Sequence, residues 1–233
     1  MHSAKNSRAA AWLMAAAILI SFALGGCGQK AAPAIEVLEN RESEFVFSLS
    51  AGEFIERYNA LARKDKNSHT LAPLSGWTKD IYDTAIHARH ETICYTFTEK
   101  QEKWLLPTVS IYVPANADTI QEITLNFDDH GYTAEMYDWY EQYCFYALKV
   151  FLPDLTDDSI IELYTTLNEL AYEHFTNEPY SADSLPCALY HKDGVGLYPY
   201  FANGECVRLC MIPVTPAFLS EWQAKGVGIY DII

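Results

Sequence analysis

Residues 9–29 carry no charge, and Lys5 and Arg8 stand just ahead of them. The centre of this run, from Ala10 to Ile20, is apolar, and it closes on Leu24-Gly25-Gly26-Cys27-Gly28. A basic start, an apolar stretch and small residues at its end are the marks of an export signal rather than of a core helix. The run is also long enough to cross a bilayer, for which about 20 apolar residues suffice. Gly25, Gly26 and Gly28 suit a segment drawn out for cleavage better than the end of a membrane helix. The folded part must therefore be built from the residues after Cys27.

Leu24-Gly25-Gly26-Cys27 resembles the lipobox of bacterial lipoprotein precursors, over residues 1–28 only. The resemblance implies a diacylglyceryl group on the Cys27 sulfur, cleavage after Gly26 and an anchor in the membrane. Each buried methylene is worth about 0.8 kcal/mol, and lasting attachment takes two or more acyl chains. The organisation expected is a signal peptide over 1–26, a lipidated cysteine and flexible tether over 27–43, and one globular domain over 44–233. Within that domain, 44–153 and 154–233 look like halves of similar plan.

Removal of 1–26 leaves 207 residues, enough for one sizeable domain. It also removes Lys5 and Arg8 and no acid, so the formal charge passes from −15 to −17. A surface so acidic repels nucleic acid phosphates, which argues against a nucleic acid partner, and it argues likewise against a domain that lies flat on anionic lipids. Besides Cys27, the cysteines are Cys94, Cys144, Cys187, Cys206 and Cys210. Five is an odd number and sparse for a disulfide-stapled scaffold; buried small side chains are the simpler reading, with a single disulfide left open.

Ser50 followed by Glu53 is a capping box and predicts a helix over 51–63, with Phe54, Ile55, Tyr58, Leu61 and Ala62 on one face. Residues 71–87 are ambiguous between short strands and a loop. Alternation then predicts strands over 91–98, 104–113 and 119–127, whose buried faces carry Ile93, Tyr95 and Phe97, then Val109, Ile111 and Val113, then Ile123, Leu125 and Phe127. Two helices come next: 133–151, stopped by Pro153, and one capped by Thr156. Strands over 187–192, 195–202 and 205–212 are joined by Asp193-Gly194 and Asn203-Gly204, both hairpin turn pairs. Thr215-Pro216 opens a last helix that Gly226 closes. The fold class is α+β: antiparallel meander sheets with helices on one face, as two α-β-β-β-α halves.

Chemistry is harder to find. Cys187-x-x-x-His191 and Cys206-x-x-x-Cys210 have ligand-like spacing, but on strands four residues span about 13 Å, too far for one zinc. His87, His90 and Glu91 lack the His-Glu-x-x-His order of a zinc protease. Asp128, Asp129 and His130 fit a solvated turn, Asp154, Asp157 and Asp158 fit helix capping, and His174 fits a helix end. No nucleophile motif, cofactor motif or phosphate-cradling glycine loop is present, so no catalytic residue, metal or cofactor is assigned. Tyr137, Trp139, Tyr140, Tyr143 and Tyr146, with Tyr190, Tyr198, Tyr200 and Phe201, crowd one helix and the second meander. They form either core or a contact surface. The expectation is a non-enzymatic binding or scaffolding module for a protein partner at the cell envelope. A ligand-capture protein serving a transporter, or a hydrolase without a motif, are the alternatives.

Overall fold

The computed structural model describes residues 34–40, 44–66, 68–82, 91–98, 107–128, 134–177, 186, 188–202 and 206–233. Cys27, Cys187, the 87–90 segment, Asp129, His130 and the Asn203-Gly204 turn lie outside them.

The folded unit begins at Ile35. A two-stranded antiparallel ribbon, β1 (Val37–Glu39) and β2 (Phe45–Phe47), comes first, so the stretch expected as tether over 27–43 already contributes a strand. Helix α1 (Ala51–Ala62) starts with the capping box the sequence predicts. The Glu53 N–H donates to Ser50 Oγ at 3.2 Å, and the Ser50 N–H donates to Glu53 Oε2 at 3.0 Å. Bonds from Ser50 to its carboxylate hold Glu53 below its ordinary range.

The ambiguous segment becomes a short 3₁₀ turn, Leu74–Gly76, and a strand, β3 (Thr78–Tyr82). β4 (Thr92–Phe97), β5 (Thr108–Pro114) and β6 (Glu122–Asp128) form the first meander. Helices α2 (Ala134–Phe151) and α3 (Asp157–Asn177) form a hairpin. At its corner Lys149 Nζ donates to the Leu155 carbonyl at 2.8 Å and pairs with Asp157 at 2.9 Å. One cation thus satisfies the corner and neutralises the negative end of α2.

β7 (Ala188–Lys192), β8 (Val195–Ala202) and β9 (Cys206–Pro213) make the second meander. Asp193 (φ 50°) and Gly194 (φ 84°) supply the two left-handed residues that the tight β7–β8 turn requires. Helix α4 (Pro216–Ala224) is capped by Thr215, and β10 (Gly228–Asp231) returns to pair parallel with β7.

The two meanders join into one eight-stranded sheet, β10-β7-β8-β9-β6-β5-β4-β3, through antiparallel pairing of β6 with β9. The plan is therefore richer than two α-β-β-β-α halves: β1, β2, β3 and β10 are additional. One face of the sheet carries Phe97, Val109, Ile111, Val113, Ile123, Leu125, Phe127, Leu197, Leu209 and Met211, which share a core with α1, α2 and α3. Each is at most 6% exposed, and apolar burial at about 25 cal/mol per Å² makes this layer the main source of stability. α4 corrects the one-face expectation. Its Trp222 packs with Leu189, Tyr198, Cys210 and Ile212, whose side chains alternate with those of the main core and so point to the other face.

Candidate functional site

Two places gather polar chemistry. The first is an open groove of about 300 Å³ where α2 and α3 run beside the loop after α1. Asp138, Glu141, Gln142 and Phe145 fall at i, i+3, i+4 and i+7 of α2 and so share one face. Asp65, Tyr146, Ile161 and Tyr164 complete the lining. Asp65, Asp138 and Glu141 are exposed, and Ile161 is 48% exposed. Tyr164 Oη donates to Glu141 at 2.5 Å, Tyr146 Oη donates to Asp65 at 3.1 Å, and the His69 N–H donates to Gln142 Oε1 at 2.9 Å. Burial, and then those carboxylates, push both tyrosine hydroxyls above their usual range, so they stay protonated donors. Two of the three acids, Glu141 and Asp65, thus hold hydroxyls in place, and all three are exposed.

The second place is the sheet face away from the three-helix core. Register sets Thr96, Ser110, Thr124, Cys210 and Tyr198 side by side across five strands. Cys94, Tyr112 and Glu122 form a parallel row, and Thr108, Asn126 and Arg208 a third. Glu122, Ser110, Thr124, Cys94, Cys210 and Tyr198 are all under 5% exposed. Burial pushes the Glu122 carboxyl up to about 7, with Arg208 and a bond to Cys210 opposing the rise. Burial likewise raises Cys94, Tyr112 and Tyr198. Thr96 and Ser110 hydroxyls meet at 3.2 Å, and Asn126 Nδ2 donates to Thr108 at 3.0 Å. The Thr124 hydroxyl and the Asn126 carbonyl oxygen are buried without a hydrogen-bond partner.

The residues singled out from sequence fare unevenly. Cys94, Cys144 and Cys210 are buried and outside any disulfide, and burial raises Cys144 and Cys94, which keeps them from acting as thiolates. His191 and the backbone of Cys206 lie on strands, as the spacing argument requires; His191 pairs with Asp231 at 3.3 Å. Among the described residues no cluster of three histidines, cysteines or acids could hold a metal ion. Asp157 and Asp158 occupy the first turn of α3. Of the aromatics, Trp139, Tyr140, Tyr143, Tyr146 and Tyr198 are buried and so take the core alternative, whereas Tyr137 is 41% exposed and Tyr190 is half-buried; the side chains of Tyr200 and Phe201 lie outside the described residues. Sequence reasoning missed the acidic groove although it has a signal: residues 134–177 hold nine carboxylates and one cation, Lys149. The buried polar rows have none, because polar residues alternating along a strand read as solvent-facing.

Compared with protein-family models, with curated proteins and with solved structures, the chain matches none.

Proposed function

We propose that the chain is an exported lipoprotein, held at a membrane by lipid on Cys27, whose folded unit is a non-enzymatic module that docks a protein partner at the cell envelope. The Lys5/Arg8 start, the uncharged run and Leu24-Gly25-Gly26-Cys27 support export and anchoring. The observation that carries the docking reading is the α2–α3 groove. It offers an apolar floor, Phe145 and Ile161, rimmed by Asp65, Asp138 and Glu141. Apolar contact with a charged rim suits a partner segment bearing Lys or Arg beside an aliphatic anchor.

The test is crosslinking in cells of the tagged, natively expressed chain beside the double variant Asp138→Lys/Glu141→Lys. One envelope protein should crosslink reproducibly to wild type and fall about tenfold in the variant, since like charges across an interface repel. Equal crosslinking by both would remove the groove from the reading.

A further inference from the structure

Taken as a docking site, the α2–α3 groove also sets the shape of what it holds. On α2, Asp138, Glu141 and Phe145 fall at i, i+3 and i+7, so they share one face over two turns, about 10 Å of helix. Ile161 and Tyr164, one turn apart on α3, line the groove beside Glu141, to which Tyr164 donates. Phe145 and Tyr164 are half-buried and Ile161 is exposed, so apolar surface is open here. Charge and apolar surface are separated along α2: Asp138 and Glu141 lie toward its N-terminal end and Phe145 a turn further on. Both linings are helical, and a helix keeps its backbone donors and acceptors to itself. An extended segment laid along them would find no backbone to pair with. A helix arrives with its backbone already satisfied, and its ridge of side chains fits against α2 and α3 as a third helix fits a bundle.

We infer, resting on that docking reading, that the partner segment is an amphipathic helix antiparallel to α2, with an aliphatic residue at i and Lys or Arg at i+4 and i+7. Phe145, Glu141 and Asp138, taken in that direction, have the same spacing of four residues and then three. The aliphatic side chain then meets Phe145 and Ile161, and the two cations meet Glu141 and Asp138. The antiparallel direction sets those cations in the later turns of the partner helix, where the negative end of its own dipole also favours them. Residues 134–177 hold nine carboxylates against Lys149, so a helix with acids at i+4 and i+7 meets like charge along the hairpin.

The probes are labelled synthetic peptides of about 20 residues, long enough to form a helix. They are titrated with the purified full-length chain in detergent; fluorescence anisotropy reads binding and circular dichroism reads helix. The first peptide carries Leu, Lys and Lys at i, i+4 and i+7 in an alanine–glutamine background, and it should bind and gain helix as it does so. A peptide of the same composition with its lysines at i+2 and i+5, and one with Pro at i+3, should each bind at least tenfold more weakly. Asp138→Lys/Glu141→Lys should lose tenfold or more in affinity for the first peptide and should bind its counterpart with Glu in place of both lysines more tightly than wild type does. The inference is overturned if the first peptide does not bind, if the shifted and Pro peptides bind as tightly, or if the double variant binds the first peptide like wild type. Crosslinking in cells separates the two readings. A partner that is lost in the double variant, while the peptides bind without regard to register or helix, keeps the groove and overturns the helix.

Discussion

Asn59 and Leu71 hold each other through both amide groups: Asn59 Nδ2 donates to the Leu71 carbonyl, and the Leu71 N–H donates to Asn59 Oδ1, each at 2.8 Å. Asn59 lies on the last turns of α1 and is 8% exposed. The pair pins the returning chain to the helix, and Asp65, at the rim of the groove, lies in the loop so closed.

Asn59→Leu leaves the Leu71 N–H and carbonyl buried and unpaired. A loss of about 2–4 kcal/mol is expected, since two orphaned groups each cost about 1–3 kcal/mol and the added apolar surface recovers part. Urea unfolding followed by tryptophan fluorescence reads it directly.

Glu122 makes stability depend on pH. The folded state keeps its proton up to about pH 7, whereas the unfolded chain releases it near 4.5. The folded state binds more protons in between, so the contribution of Glu122 is greatest below 4.5, falls as pH rises to 7, then levels off. Linkage puts the span at roughly 3 kcal/mol. Glu122→Gln cannot lose a proton, so its stability should fall less between pH 5 and 8 than that of wild type. Parallel melts at the two pH values check the sign.

Gly196 has no room for a side chain: a Cβ there would lie 2.4 Å from Val214 Cγ1 and 3.4 Å from Leu189 Cδ1. Gly196→Ala should cost about 1–3 kcal/mol by overpacking. Adding Val214→Ala should return part of that loss, because neighbouring changes couple. A double-mutant cycle by chemical denaturation measures the recovery.

Cys94, Cys144 and Cys210 are buried thiols. In native buffer none of the three should react with a thiol reagent on the timescale of minutes, and all three should react in denaturant. Peptide mapping of the labelled chain distinguishes them from the other cysteines.

Much of the local structure was legible because local rules decide it. Ser50 and Glu53 mark the start of α1 through backbone donors that any helix leaves open. The alternation of Val109, Ile111 and Val113, or of Ile123, Leu125 and Phe127, names the core face of each strand, and the core takes those side chains. The pairing of β6 with β9 was not legible: Ile123 and Met211 lie 88 residues apart, and nothing in either strand names its neighbour. β10 is four residues long and reaches β7 only in parallel, so no hairpin turn announces it. α4 could not be assigned to a face, because that depends on which way the chain leaves β9. The polar rows were hidden for the same reason. Glu122 and Thr124 sit where an alternating strand meets solvent, and only the assembled sheet buries them.

The mass of the amino-terminal peptide of the chain, taken from the membrane fraction of the producing cell, tests the central claim most directly. The account predicts a peptide that begins at Cys27, carries acyl chains on its sulfur, and moves to the soluble fraction or remains as precursor in Cys27→Ala. A peptide that retains residues 9–26 with an unmodified Cys27 contradicts the lipid anchor and, with it, the placement of the docking module.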